Sequence, residues 1–227
     1  METVPMTEVP RTALRRYYDE LMQPAFAPAE LMTWDELDEA LASRGTEGLL
    51  LLDDGEPVAG LVTEDYLDAS LLLLAYVVVS SGHRGQGLGS RLIRRAVGHE
   101  PRLVLAEIED PRFHEAHEHG GDPSARVRFY DRLGSHLLAI PYTQPSLRPG
   151  SPRVDDLLLI TIPSAAPPAE VDGGLLRAFL DEYYGACEGE DVVVGDPSYR
   201  ALRGSVPDRL PLSRLDELDL ARPGPSA

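Results

Sequence analysis

The chain has 227 residues, 43% hydrophobic and 26% charged, which suits one sizeable globular core, or a core with a small appendage, rather than a disordered protein. Its formal net charge of -17 repels nucleic-acid phosphates and anionic lipid, so no nucleic acid and no membrane is expected as a partner. The same charge favours cationic small molecules such as amines, although it also serves simple solubility. All 21 basic residues are arginine; lysine and asparagine, which use A/T-rich codons, do not occur, and this points to a GC-rich bacterial gene. A single cysteine, Cys187, excludes an intrachain disulfide. Residues 1–16 lack a basic stretch followed by an apolar one, and the longest apolar run, 71–79, is too short for a membrane-spanning helix. A cytoplasmic location is the expectation.

In chain order, Leu14, Tyr17, Tyr18 and Leu21 recur at spacings of three and four and predict a helix over 11–23. Thr33 followed by Glu36 reads as a capping box opening a second helix over 34–43, with Gly45 as its stop. Residues 48–52 and 57–63 flank Asp53-Asp54-Gly55 as a hairpin. The continuous apolar run 71–79 predicts a central strand buried on both faces. A helix over 88–98, a strand over 102–109, a polar loop over 110–122, a helix over 124–133 ending at Gly134, and strands over 135–140 and 154–162 follow. The order predicts an α/β protein with a mixed sheet and helices on both faces. The Pro/Ala-rich segment 163–169 reads as a linker. One fair helix over 173–185 and a weak one near 212–220 are expected beyond it. The division is thus residues 1–163 as the main domain and 164–227 as linker and C-terminal extension.

Between the central strand and the next helix, glycines stand at 82, 85, 87 and 89. A helix that starts inside a glycine run presents unpaired N–H groups and partial positive charge to a ligand that glycine lets approach, which suits pyrophosphate. The spacing fits neither a Walker loop nor G-x-G-x-x-G. Arg84-Gly85-Gln86-Gly87-Leu88-Gly89 resembles the Arg/Gln-x-x-Gly-x-Gly/Ala motif of the GNAT acetyltransferases. The resemblance covers roughly residues 10–162 and implies a GNAT-like fold with acetyl-CoA, or another acyl-CoA, as co-substrate. It assigns the pyrophosphate to the backbone of Arg84, Gly85, Gln86, Gly87, Leu88, Gly89 and Ser90, and the pantetheine arm to Val77, Val78 and Val79.

The segment from Ser124 to Gly134 resembles the second CoA-binding helix of that family, which ends in Phe/Leu-Tyr-x-x-x-Gly. Tyr130 matches the tyrosine that protonates the CoA sulfur; a helix-to-sheet packing role is the alternative. The family asparagine at the start of that helix is absent, and Asp122 or Ser124 stands there instead; Ser124 and Arg126 are assigned to the cofactor. The strand Leu103 to Glu109 sets Glu107 and Glu109 on one face by its period of two. Because the family fold splays this strand from the central one, Glu107 is the candidate general base, against the reading that it merely lines the cleft.

His114, His117 and His119 do not have H-E-x-x-H spacing; a solvated loop is expected, with substrate contact or metal chelation as alternatives, and no metal is assigned. Cys187 reads as an ordinary buried thiol, and Trp34 and Phe26 as core rather than substrate platform. Segments 22–45, 110–122 and 141–153 are expected to build the acceptor pocket. The function these features imply is transfer of an acetyl group from acetyl-CoA to a primary amine of a small molecule by direct attack. A peptide or protein N-terminus is also open as acceptor, and a non-catalytic CoA-binding module is the alternative. A further reading makes residues 170–227 an arm that supports a homodimer.

Overall fold

The computed structural model describes residues 1–98, 102–115, 121–164 and 170–218. The chain begins with strand β1 (Glu2–Pro5), helix α1 (Arg11–Tyr17), a π-helical turn at Tyr18–Met22 and a single turn α2 (Gln23–Ala25). The predicted first helix therefore exists, with one wide turn inside it. Helix α3 (Trp34–Ala42) opens with the expected capping box: the Glu36 amide donates to Thr33 Oγ1 and the Thr33 amide to Glu36 Oε2. Strands β2 (Thr46–Asp53) and β3 (Glu56–Tyr66) are joined by a two-residue turn in which Asp54 (φ 49) and Gly55 (φ 85) are both left-handed. That is the twist-matched hairpin turn that Asp-Gly encodes.

Strand β4 (Leu71–Val79), helix α4 (Leu88–Val97), strand β5 (Leu103–Glu109), helix α5 (Pro123–Leu133) and strands β6 (His136–Leu138) and β7 (Leu157–Thr161) follow. Beyond them lie β8 (Glu170–Asp172), α6 (Gly173–Glu188), α7 (Glu190–Gly195), α8 (Pro197–Ser205) and β9 (Arg209–Arg214). The sheet order is β1-β2-β3-β4-β5-β7-β6-β9-β8. Only β4 and β5 run parallel; every other pair is antiparallel. The expected mixed α/β architecture is the one observed.

Alternation along β4 buries both faces. Leu72 and Leu74 pack with Leu92 and Ile93 of α4 and Val127 and Tyr130 of α5. Leu71 and Leu73 pack on the other face with Phe179 and Leu180 of α6. The register then slips: Thr63 pairs Leu74 but Val62 pairs Tyr76, so Ala75 is an extra residue in β4. The bulge inverts the alternation. Tyr76 and Val78 join α1 and α3, whereas Val77 and Val79 turn toward α4 and α5. It also coincides with the end of the β4–β5 ladder, which runs from Leu71↔Leu103 only to Leu74↔Ala106. Past that point β4 continues on β3 and β5 on β7, so the two central strands part and leave an opening in the sheet.

The C-terminal region differs most from the sequence expectation. Residues 209–214 are not helical; they form β9, which pairs with β6 and buries Leu210. Pro211 disfavours a helix interior there, and the alternating leucines fit a strand. A 3-10 turn at Leu215–Glu217 follows. Helix α8 carries start signals that composition alone obscured: Asp196 accepts from the Tyr199 amide at 2.7 Å and Pro197 occupies the first turn. Helix α6, expected over 173–185, is longer by a turn and is capped by Asp172. Together these elements cover the sheet face that bears Leu71, Leu73, Leu103, Leu105, Leu157 and Leu159.

Candidate functional site: a cleft and a cavity joined at the strand opening

The glycine loop starts where β4 ends. Gly85 (φ 78) and Gly87 (φ 75) are left-handed, a conformation that L residues other than Gly, Asn and Asp rarely adopt. A Cβ at Gly82, Gly85 or Gly87 would meet nothing within 4 Å, so the glycines serve backbone conformation and leave open space above the loop. Gly87 is the N-cap of α4 and makes no side-chain cap; the first helical bond is Arg91 N to Gly87 O at 3.0 Å. The amides of Leu88, Gly89 and Ser90 therefore lack intrahelical partners. Gly89 brings α4 close to its neighbours, since a Cβ there would lie 3.4 Å from Phe129 Cζ and 3.7 Å from Val79 Cγ2.

Above this loop lies a cleft of 590 Å³. Of the residues assigned from sequence, Val77, Val78, Val79, Arg84, Gly85 and Gly87 line it, as do Leu88, Gly89, Ser90, Arg126, Tyr130 and Glu107. Two do not. Gln86 is exposed and donates to Gly82 O at 3.4 Å, and the Ser124 amide is engaged by Asp122 Oδ1 at 2.8 Å, with Asp122 capping α5. Arg126 donates to Glu109 Oε2 at 2.7 Å, and Arg84 Nε lies 3.4 Å from Val79 O. His83, Arg94 and Arg132 also line the cleft and were not singled out by sequence. An elongated anionic ligand fits this site: left-handed glycines with free space above them, helix amides at one end, and along the wall a β4 edge that lost its strand partner after Leu74.

Tyr130 is buried against Phe129 in an edge-on contact (5.0 Å between centroids) while facing the cleft. Burial raises its hydroxyl to about 12, with Arg126 acting weakly the other way, so it is protonated at neutral pH. Glu107 is half-buried in the cleft wall. Burial pushes its carboxyl up to about 7; the hydrogen bonds from Tyr142 to Oε1 and from Gln144 Nε2 to Oε2 (2.8 Å) restrain the rise, and Glu64 and Glu30 add to it.

Glu107 and Ala75 also line a second cavity, of 170 Å³, on the face of the sheet that carries α3 and α6. Glu30, Glu36 and Glu64 contribute three more carboxylates to its wall. Burial raises Glu64, which accepts from the Tyr66 hydroxyl at 2.9 Å, and burial also raises Glu30. Glu36 faces Arg148 at 3.6 Å, and Arg148 also donates to Pro28 O and Leu31 O, so the loop carrying Arg148 is tied over the segment before α3. Two of the three segments expected to build an acceptor pocket reach this cavity, through Glu30, Met32 and Glu36 and through Gln144 and Leu147; no described residue of 110–122 is in its wall.

Helix α6 supplies Tyr183 and Cys187 to the same wall. Burial raises the Cys187 thiol to about 12, so it stands there as a neutral thiol. Arg153 fastens the arrangement, donating to Glu188 at 2.7 and 2.8 Å and to Asp196 at 2.9 Å, while the Tyr184 hydroxyl donates to Thr143 O at 2.6 Å. A glutamate after the apolar run of β3 was the only sequence signal for Glu64; nothing local marked Tyr142, Gln144 or the α6 residues.

Of the other singled-out residues, His114 lies outside both cavities, 3.2 Å from Asp156 O, and His117 and His119 lie outside the described residues. Among the described residues no group of three or more His, Cys, Asp or Glu could hold a metal. Trp34 packs edge-on against Tyr18 beneath Arg11 and Arg15, away from both cavities. Phe26 packs edge-on against Tyr76 at 5.1 Å and lines the cleft. No described helix is long and apolar enough to cross a membrane.

Residues 45–134 match the family model described as Acetyltransferase (GNAT) domain. Over this stretch the chain is similar to the GNAT acetyltransferases. The match spans the hairpin, β4, the glycine loop, β5 and α5, so the loop, Glu107 and Tyr130 all belong to the GNAT region. A GNAT-family protein from Bacteroides thetaiotaomicron is similar in structure, with a TM-score of 0.59, 21% identity and coverage of 81% of this chain and 99% of that one. An aminoglycoside 6'-N-acetyltransferase complexed with coenzyme A is similar with a TM-score of 0.53 and 15% identity over 74% of this chain and 99% of that one. At these identities the likeness is one of fold. No curated protein sequence matches the chain.

Proposed function

We propose that this protein is an acyl-CoA-dependent N-acyltransferase that moves an acetyl group from acetyl-CoA to a primary amine of a small molecule. The observation that carries the reading is that Glu107 stands in the wall of both spaces, the glycine-loop cleft and the acidic cavity. It is thus a shared wall where an acyl donor from one side and an amine from the other meet. Coenzyme A bound to the structurally similar aminoglycoside enzyme supports the choice of donor.

The donor, when bound, supplies an acyl carbon activated as a thioester. The α4 amides and the left-handed loop hold the pyrophosphate, and the unpaired edge of β4 hydrogen-bonds the pantetheine arm and orients the carbonyl. Glu107, poised near neutrality by burial, takes a proton from the acceptor ammonium and releases the amine for attack. The new C–N bond forms and the C–S bond breaks. Tyr130, kept protonated by burial, donates to the departing sulfur, and the second proton that the nitrogen sheds as the amide forms restores its hydroxyl.

Isothermal titration with acetyl-CoA, with desulfo-CoA and ATP for comparison, is the first test. Binding of the CoA compounds and not ATP is expected. Gly87→Glu is expected to abolish that binding, because Gly87 is left-handed with open space in front of it and the substitution puts bulk and negative charge in the cleft. Wild-type affinity in this variant would falsify the assignment of the loop.

A further inference from the structure

The cavity beyond Glu107 carries four carboxylates, from Glu30, Glu36, Glu64 and Glu107, and among the described residues no arginine or histidine is in its wall. Glu36 is answered by Arg148 and by the Thr33 amide. Glu64 is half-buried, and its hydrogen-bond partner among the described residues is the Tyr66 hydroxyl. A buried carboxylate without a cation is costly, and proteins pair such groups or reserve them for a ligand. A second observation is independent of the acids. Gln144, 6% exposed and in the cavity wall, gives its amide nitrogen to Glu107, and its Oε1 is buried without a hydrogen-bond partner.

We infer that the acceptor carries a second cationic group, held by Glu64 in the part of the cavity that does not open on the acyl-transfer cleft, and that Glu64 determines acceptor specificity. This rests on the N-acyltransfer reading. Glu64 lines the cavity and not the cleft, whereas Glu107 lines both. An acceptor bound across them has one nitrogen at the reacting end and one at Glu64. A monoamine brings one positive charge and surrenders it to Glu107 before attack, which leaves Glu64 buried and unanswered. A diamine keeps one charge throughout. Met32, Leu73, Leu147 and the rings of Tyr66, Tyr76 and Tyr183 also line the cavity and suit methylenes between the two nitrogens.

The test compares diaminobutane with butylamine, which share chain length and differ in the second charge, by thiol release from acetyl-CoA, with acetyl-CoA affinity measured separately by titration. The wild-type protein is expected to prefer diaminobutane in kcat/KM by at least about tenfold, the range of a charge-assisted hydrogen bond. Glu64→Gln is expected to collapse that ratio through a higher KM for the diamine, with acetyl-CoA still bound, and Glu64→Asp to restore part of it. Equal kcat/KM for the two amines in the wild type overturns the inference, and that comparison needs no variant to fold. A preference that survives in a folded Glu64→Gln protein overturns it as well. Acetyl-CoA binding with no turnover of either amine overturns the inference and leaves the donor site standing, whereas absence of acetyl-CoA binding overturns the acyltransfer reading itself.

Discussion

Replacing Glu107 by glutamine tests catalysis and stability together. The carboxyl rises from an ordinary 4.5 to about 7, and at about 1.4 kcal/mol for each tenfold change in acidity the ionised form costs the fold about 3 kcal/mol. The folded protein holds this proton more tightly than the unfolded chain, so Glu107 favours folding fully below about pH 4.5, and that contribution is lost as the pH rises through about 7. Glutamine removes the charge. Of the two donors on Glu107, Tyr142 and Gln144, its amide can accept from one and opposes the other, a loss of about 1 kcal/mol. The variant is therefore expected to be more stable than wild type by about 2 kcal/mol at pH 8, or about 4–8 °C in Tm for a chain of this size, and to lose that advantage at pH 5. Activity goes the other way: kcat is expected to fall about 10²–10⁴-fold. The wild-type acid limb of kcat/KM, centred near pH 7, is expected to vanish. Thermal unfolding at the two pH values and a pH–rate profile by thiol release provide the check. An acid limb unchanged in the variant, or a wild-type Tm difference between pH 5 and pH 8 that the variant reproduces, would refute the reasoning.

Tyr130→Phe removes only a hydroxyl from a ring packed on Phe129, so acetyl-CoA affinity and Tm are expected to stay near wild type while kcat falls about 10²-fold; turnover at the wild-type rate would remove the proton-donor role. A chain ending at Ser164 loses β8, β9, α6 and α8, uncovering Leu71, Leu73, Leu103, Leu105, Leu157 and Leu159. At about 1.5–3 kcal/mol for each side chain, the loss matches or exceeds the about 5–15 kcal/mol that holds a typical domain together. No cooperative thermal transition is expected by circular dichroism, and a sharp one would mean that residues 1–163 fold alone.

Local signals carried much of the chain. The capping box at Thr33 and Glu36, the Asp-Gly hairpin, the apolar run of β4, the glycine loop and the stop at Gly134 each rest on chemistry within a few residues, and each appears where the pattern put it. The same locality made the glycine loop and Tyr130 legible as site candidates. The last strand shows where it ended: residues 209–214 form β9 because β6, far upstream, offers a partner, a long-range pairing that the short alternation Leu210, Leu212 does not announce. The second cavity has the same origin. Glu30 lies between α2 and α3, Glu64 on β3, Glu107 on β5, Gln144 in a loop and Cys187 on α6; they converge because the Ala75 bulge ends the β4–β5 ladder and α6 closes over the gap. What the sequence by itself determined is therefore the glycine-loop cleft, a contiguous strand, loop and helix whose backbone geometry is local. Only the tertiary structure decided the second cavity, because burial and the assembly of distant carboxylates, which raise Glu107 to near neutrality, are properties of packing and not of any one segment.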